Sequence, residues 1–331
     1  MIISKTPYRI SFFGGGSDYP SWYLKNGGCV LSTTIDKYIY ISCRYLPPFF
    51  EHKYRIVWSH IENVKEVNQI KHRSVKELLK YFNIKEGLEI HYDGDLPARS
   101  GMGSSSVFVV GLMNLLNSFK GKKVSKKKLA IKSINFEQKI LKETVGSQDQ
   151  IAAAFGGFNK ILFKPGGKFE VIPLSVKKNT IIKLNRNLIL LYTGFKRTAH
   201  NIAKTYVNKL QKKKRNNILE ISSFVDESIH ALKNNDLTAF GQLLHESWMA
   251  KRNLSSSITN FEINEIYTEA LNKGALGGKL LGAGGGGFLL FYVPETYQKK
   301  FIQHFKKLIN VPFLFSSKGS EIMFKNDKLN N

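Results

Sequence analysis

Cysteine is scarce in this 331-residue sequence, which contains only Cys29 and Cys43. Two thiols cannot build a disulfide framework or a cysteine-rich metal site, and both lie in strand-like segments, so we expect them to be reduced and buried. The longest apolar runs, 107–116 and 288–293, are far shorter than the roughly 20 residues that cross a bilayer. The N-terminus lacks the charged and apolar regions of a secretory signal. We therefore expect a cytoplasmic protein without a membrane partner.

Acidic residues are also few. The sequence has 25 Asp and Glu and 50 Lys and Arg, so its formal net charge is +25. Such an excess suits a polyanion partner, since Lys and Arg release counterions from phosphate backbones. However, the segments richest in lysine, 120–128 and 209–215, carry little aromatic character for stacking bases. We therefore expect a solvated basic surface that attracts anionic small molecules, and no nucleic-acid partner.

The composition is that of a folded protein, with 42% hydrophobic and 12% aromatic residues. Intrinsic disorder is therefore excluded, and the length suggests about two domains of roughly 150 residues each. The polar, lysine-rich segment 175–183 is the candidate boundary, which divides the chain into domains 1–178 and 179–331. Strands followed by several helices in each half predict two α+β domains.

Residues 104–119 are apolar on nearly all sides of a helix, so they predict a buried central helix. Ser125 is a candidate N-cap for a second helix that ends near Glu143. The hydrophobic pattern predicts strands over 2–13, 30–44, 53–60, 88–92, 158–163, 169–173 and 188–192, within 278–293 and near Phe313, and helices over 75–82, 148–155, 198–210, 218–234, 237–251, 261–273 and 297–308.

One glycine- and serine-rich segment runs directly into the central helix. It contains Pro97, Ser100, Gly101, Met102, Gly103, Ser104, Ser105 and Ser106. Glycines allow backbone N–H groups to approach a phosphate chain, and a helix start adds free N–H groups and the positive end of the dipole. The segment lacks both the lysine of a Walker motif and the spacing of a Rossmann fingerprint. The alternative is a serine N-cap after a glycine turn.

Two further segments contain candidate functional residues. Residues 282–287 contain five glycines between strand-like apolar residues, which favours close approach of the backbone to a ligand or to the other domain over a structural bulge. Residues 5–19 bring Arg9 toward the end of a strand and Asp18 onto a glycine turn. Taken alone, this last segment is an ordinary strand and turn.

The three segments, in this order, resemble those of the GHMP kinases, the superfamily of galactokinase, homoserine kinase, mevalonate kinase and phosphomevalonate kinase. The resemblance covers most of the chain. It implies an N-terminal domain like ribosomal protein S5 domain 2, a ferredoxin-like C-terminal domain, and ATP in the cleft between them with its phosphates at the central loop.

The resemblance also implies roles for single residues. Ser104 and Ser105 match the loop serines, one of which is a Mg²⁺ ligand, and we favour Ser105. Glu137 matches the acidic metal ligand, and its alternative is a solvated helix charge. Asp149 matches the aspartate beside the attacking hydroxyl, although a helix N-terminal aspartate is common without any chemistry. Arg9 matches the basic residue that pairs with this aspartate and meets the transferring phosphoryl group.

Asp18 matches the ligand of a sugar hydroxyl in galactokinase-like members. The sequence departs from galactokinase at Tyr8 and at residues 14–16, so the sugar is expected to differ. Residues 13–23, 56–59 and 192–197 look most like D-glycero-D-manno-heptose 7-phosphate kinases. These phosphorylate the anomeric C1 hydroxyl, giving heptose 1,7-bisphosphate for nucleotide-activated heptose synthesis.

A substrate that already bears a phosphate needs cations away from the metal, and Arg99, Lys196 and Arg197 are the candidates. Further candidate substrate contacts are Gly15, Gly16, Ser17, Thr193, Gly194, Gly284 and Gly285. We expect ATP, Mg²⁺ and a sugar phosphate as the small-molecule partners of a monomer or homodimer. Alternatives are another GHMP sugar 1-kinase such as a fucokinase, a nucleotide-dependent dehydrogenase, and a non-enzymatic polyanion binder.

Overall fold

A computed structural model describes residues 1–194, 199–207, 210–211 and 214–326, apart from the side chains of 199–201. The strands are β1 Ile2–Phe13, β2 Gly28–Tyr45, β3 Tyr54–Val57, β4 Ile61–Val64, β5 Leu88–Gly94, β6 Phe158–Phe163, β7 Phe169–Pro173, β8 Leu188–Tyr192, β9 Gly277–Leu280, β10 Phe288–Tyr292, β11 Ile309–Asn310, β12 Phe315–Ser316 and β13 Glu321–Lys325. The α-helices are α1 Pro20–Asn26, α2 Arg73–Tyr81, α3 Ser104–Phe119, α4 Lys126–Asn135, α5 Gln148–Phe155, α6 Lys178–Arg186, α7 Ala199–Val207, α8 Arg215–Lys233, α9 Leu237–Arg252, α10 Phe261–Asn272 and α11 Glu295–His304. In this part of the chain, every helix is too short or too polar to span a membrane.

The first sheet has nine strands, and its main path follows the order β13-β1-β2-β5-β3-β4. The long strand β2 pairs with β1 and β5 and also, through its first residues, with β6. Helix α3 packs on this sheet, and its apolar residues are buried on nearly every side. The predicted central helix is therefore confirmed at both ends.

The second sheet has four antiparallel strands in the order β11-β8-β10-β9. Along the chain, helices separate β8 from β9, and α11 separates β10 from β11, which is the split βαβ arrangement of a ferredoxin-like fold. The expected α+β fold with a ferredoxin-like second part is confirmed. Strands β12 and β13 then return to the first sheet and pair with β2 and β1.

Two sequence predictions need correction, and helix α6 was not predicted. The expected strand over 53–60 is two short strands, β3 and β4, joined by a turn. Ser125 does cap α4, because its side chain accepts the Lys128 N–H, but the helix does not reach Glu143. Helix α4 ends at Asn135, and the next residues, Phe136–Ile140, form a π-helical turn in which the Leu141 N–H donates to the Phe136 carbonyl. Helix α6 overlaps the candidate domain boundary at 175–183, and it was not predicted because only Thr180 and Leu184 of its side chains are buried.

The two sheets meet through backbone contacts between the glycine stretch 282–287 and the loop before α3. A methyl group on Gly282 would lie 2.6 Å from the Gly101 Cα atom, and the Phe288 N–H donates to the Ser100 carbonyl at 3.1 Å. Side chains larger than hydrogen do not fit here. Of the two expected reasons for these glycines, a ligand or another part of the chain, the structure shows close approach to the loop before α3, and the stretch forms one wall of a cleft.

This contact predicts the cost of adding a methyl group. Gly282→Ala and the control Gly121→Ala both place alanine at positive φ, +76° and +68°, but nothing lies within 4 Å of the methyl group at Gly121. We expect about 1 kcal/mol of destabilisation for the control, from φ alone. For Gly282→Ala we expect roughly 1–3 kcal/mol more, from the steric overlap. Denaturant unfolding of both variants measures this difference, and equal losses would contradict the contact.

Candidate active site

A cleft with a volume of about 510 Å³ lies where the two sheets meet. It is lined by the end of β1, the loop before α3, the first turn of α5 and the glycine stretch. Twelve of the residues singled out in the sequence line it together: Arg9, Gly15, Gly16, Asp18, Arg99, Gly101, Gly103, Ser104, Ser105, Ser106, Asp149 and Gly284. Segments far apart in the sequence therefore converge on one space.

Arg9 and Asp149 form a bidentate ion pair at the centre of this cleft. Arg9 Nε donates to Asp149 Oδ1 at 2.8 Å, and Arg9 Nη2 donates to Oδ2 at 2.9 Å. The third arm of the guanidinium, Nη1, donates to the Gly101 carbonyl at 2.9 Å. Such paired, charge-assisted bonds fix the plane of the guanidinium. The end of β1, the start of α5 and the loop before α3 are thereby held to one another.

Asp18 also lines the cleft, and it is almost completely buried. Its carboxylate accepts the Gly16 N–H at 3.0 Å and the Gln148 N–H at 3.3 Å. Burial raises the pKa of Asp18 above its ordinary value, and the negative charge of Asp149 raises it further. Gly146 is required here, since a methyl group at that position would lie 1.9 Å from Asp18 Oδ2.

The loop before α3 has the geometry of an anion site. Gly101 and Gly103 adopt positive φ values of +84° and +76°, and a methyl group on Gly103 would lie 3.0 Å from Asp149 Oδ2. Helix α3 begins immediately afterwards, so its first N–H groups have no intrahelical partner. The dipole of this 16-residue helix also favours negative charge at that end. The loop and Arg9 thus face the same space with positive potential.

Glu137 lies beside this loop and is completely buried, so it is not a solvated helix charge. Ser105 Oγ donates to Glu137 Oε1 at 3.4 Å, and the Gln150 side-chain amide donates to Oε2. Burial raises the pKa of Glu137 to about 8. A hydroxyl and one carboxylate are hard oxygen donors that fit Mg²⁺, which usually takes few protein ligands and completes its shell with phosphates and water. A cation here would also compensate the ionised carboxylate.

Several predicted site residues do not line the cleft, and some of them form hydrogen bonds with backbone carbonyls. Ser17 Oγ donates to the Gly14 and Cys29 carbonyls, and the Thr193 N–H donates to the Gly287 carbonyl at 2.9 Å. Others away from the lining are Pro97, Ser100, Met102, Gly194 and Gly285, of which Ser100, Met102 and Gly285 are buried. Lys196 and Arg197 lie outside the described residues.

Other residues of the cleft were missed by the sequence analysis. Ser11 Oγ and Gln148 Oε1 are buried, line the cleft and have no hydrogen-bond partner within the described ranges. Lys251 of α9 and Lys279 of β9 enter it from the second half of the chain. A lysine between Gly278 and Leu280 in an apolar strand is a signal that could have been used. The sequence around Lys251 gives no such indication, because a lysine at the end of a predicted helix is usually an exposed charge.

Two family domains match the sequence. The N terminal domain of the GHMP kinases matches residues 68–157, and their C terminal domain matches residues 228–309, together just over half of the chain. The D-glycero-alpha-D-manno-heptose 7-phosphate kinase of Campylobacter jejuni is 29% identical over 92% of this chain and 93% of that protein. The bifunctional fucokinase/GDP-fucose pyrophosphorylase of Arabidopsis thaliana is 27% identical over 89% of this chain and 30% of that protein.

Solved structures agree with this fold. A D-glycero-D-manno-heptose 1-phosphate kinase from Bacteroides thetaiotaomicron has a TM-score of 0.80 at 22% identity, over 99% of this chain and 100% of that chain. A putative sugar kinase from Campylobacter jejuni has a TM-score of 0.73 at 25% identity, over 97% of both chains. With both family domains present in order on a matching fold, the chain belongs to the GHMP kinases and is an ATP-dependent kinase.

Proposed function

We propose that the protein transfers the γ-phosphoryl group of ATP to the anomeric C1 hydroxyl of D-glycero-D-manno-heptose 7-phosphate. The product, heptose 1,7-bisphosphate, serves nucleotide-activated heptose synthesis in the cytoplasm. The observation that carries this proposal is the ion pair of Arg9 and Asp149, which lies between the anion-binding loop and Asp18. The similarity to the heptose 7-phosphate kinase of Campylobacter jejuni supports the choice of sugar.

On the acceptor side, Asp149 orients the C1 hydroxyl and accepts its proton. The neighbouring guanidinium of Arg9 holds this carboxylate in position through two hydrogen bonds. A hemiacetal hydroxyl is more acidic than an ordinary alcohol, so a weak base suffices. Asp18 and the unpartnered polar atoms of Ser11 and Gln148 are placed to bind other hydroxyls of the sugar. The exposed Arg99 at the cleft is the candidate for its phosphate, with Lys196 and Arg197 as further candidates.

On the donor side, the loop before α3 and the N-terminal dipole of that helix bind the β- and γ-phosphates. Arg9 contacts the phosphoryl group as it moves, and keeps contact with Asp149. Ser105 and Glu137 hold Mg²⁺, which when bound neutralises charge on the phosphates. Phosphoryl transfer passes through a loose transition state, so positioning and charge neutralisation are the protein's main contributions.

The substrate is tested by incubating the protein with Mg-ATP and single sugars while ADP release is followed. We expect turnover of heptose 7-phosphate, and a product with an anomeric phosphate by ³¹P NMR. The unphosphorylated heptose, galactose and L-fucose should react far more slowly. Preferred turnover of L-fucose would favour a fucokinase, which the similarity to the Arabidopsis protein makes the second candidate. ATP turnover with none of these sugars would contradict the proposal.

Asp149→Asn tests the acceptor side. The amide keeps the size of the side chain but cannot accept a proton and carries no charge. We expect kcat to fall roughly 10²–10⁴-fold, the usual contribution of a positioned general base. The control Asp226→Asn removes an exposed carboxylate of α8 that pairs with Lys160 of β6, and it should leave kcat unchanged. A near-wild-type kcat for Asp149→Asn would remove this residue from the mechanism.

Ser105→Ala tests the metal ligands. Removing the hydroxyl leaves Glu137 as the remaining protein ligand, so the Mg²⁺ concentration needed for half-maximal rate should rise about tenfold or more. Ser118→Ala, at the other end of α3, is the matched control and should behave as wild type. Unchanged Mg²⁺ dependence in Ser105→Ala would place the metal elsewhere.

A further inference from the structure

Two lysines from the second half of the chain are buried in the wall of the cleft. Lys251, at the end of α9, is 8% exposed, and Lys279, in the middle of β9, is 4% exposed. Lys251 Nζ donates to the Gly282 carbonyl, and Lys279 Nζ donates to the Phe12 carbonyl. Within the described part of the chain, neither forms an ion pair with a carboxylate. Both ammonium groups therefore have donors left over.

Burying an ammonium group costs several kcal/mol unless opposite charge compensates it. An ammonium group has three donors, and one carbonyl satisfies only one of them. If only the hydrogen bond to the Gly282 carbonyl were needed, a neutral donor could form it without the free-energy cost of burying a charge. The position of Lys251 thus calls for an anion that the protein itself does not supply.

The surrounding charges do not balance. Arg9 and Lys279 act as neighbouring cations, and the nearby carboxylates are Asp18 and Asp149. Asp149 already accepts two hydrogen bonds from Arg9, and Asp18 accepts the Gly16 and Gln148 N–H groups. Three cations therefore face two carboxylates that already have partners. The excess positive charge suits a phosphoryl group, which carries more than one negative charge.

The backbone places Lys251 next to the path of transfer. Gly282, which accepts its hydrogen bond, packs directly on Gly101, and Gly101 accepts a hydrogen bond from Arg9. The two cations therefore hold the carbonyls of two touching glycines, one from each half of the chain. Arg9 and Lys251 thus line the same cleft, one from the first half of the chain and the other from the second half.

We propose that Lys251 is a second cationic catalytic residue, whose ammonium group donates a hydrogen bond to a non-bridging oxygen of the phosphoryl group during transfer. Lys279 is a positioning residue that adds positive charge behind it. The lysine keeps its proton throughout. The bond from phosphorus to the ADP oxygen breaks, the bond to the acceptor oxygen forms, and the acceptor proton goes to Asp149. This inference rests on phosphoryl transfer in the cleft, and it does not depend on which sugar is the acceptor.

The same groups set a pH dependence. Burial, together with the charge of Arg9, lowers the pKa of Lys251 to about 8, although the charges of Asp18 and Asp149 oppose this shift. Lys279 faces it from β9 as a further cation. The charged form is the one that binds phosphate oxygens, so kcat/KM should be full below this pKa and fall as the pH rises through about 8.

The test compares Lys251→Met, Lys251→Arg and the control Lys299→Met, which removes an exposed lysine of α11. Methionine keeps the length of the side chain without its charge. We expect Lys251→Met to lower kcat about 10²–10³-fold, as for the loss of one preorganised donor to developing charge. Its Tm should be equal to or above that of the wild type, because an uncompensated buried charge is gone. Lys251→Arg should keep at least a tenth of kcat and lose the fall above pH 8.

A binding measurement separates catalysis from folding. By calorimetry, Lys251→Met should bind Mg-ADP with aluminium fluoride, a mimic of the transferring phosphoryl group, at least tenfold more weakly, and Mg-ADP alone within threefold of wild type. A Lys251→Met kcat within threefold of wild type would overturn the proposal. A second result would also overturn it: Lys251→Met lowers the Tm, and Lys251→Arg restores the Tm without changing the pH profile. That combination is expected if Lys251 only stabilises the fold. These assays use whichever sugar the wild type phosphorylates, so a wrong sugar assignment leaves this test intact.

Discussion

The bidentate ion pair of Arg9 and Asp149 is the constraint around which the cleft is organised. It fixes the end of β1 against the start of α5, and the remaining arm of the guanidinium holds the Gly101 carbonyl. A pair that is largely buried is stable only when its hydrogen bonds are complete. Each of these three segments must therefore be in place before the pair can form, so the fold and the chemistry depend on the same contacts.

The second half of the chain completes this site through its backbone and its charges. The glycine stretch packs on the loop before α3 so closely that side chains are excluded, and this brings Lys251 and Lys279 into the wall of the cleft. The two cations belong to elements of the ferredoxin-like part, α9 and β9. A cleft with this excess of positive charge is expected to bind phosphates strongly and to lose part of its stability to charge repulsion.

Local patterns explain what could be predicted from the sequence. The apolar residues of 104–119, the glycines before them and the strand that carries Arg9 are short-range signals, and all of them are found in the structure. Buried lysines, the π-helical turn at Phe136–Ile140 and the unpartnered Ser11 Oγ depend on tertiary packing. Helix α6 was missed because lysines cover the exposed face of a helix that buries few side chains. The burial of Lys251 has no signature in the residues beside it, whereas the apolar strand around Lys279 is such a signal.

The most direct measurement is a crystal structure with Mg²⁺, a non-hydrolysable ATP analogue and the sugar phosphate. The β- and γ-phosphates should lie against the N–H groups of residues 101–106, with the γ-phosphate within hydrogen-bond distance of Arg9. The acceptor hydroxyl should then lie within hydrogen-bond distance of Asp149. A nucleotide bound outside this cleft, or a sugar whose hydroxyls do not approach Asp149, would contradict the central claim that the Arg9–Asp149 pair joins the donor and acceptor sites.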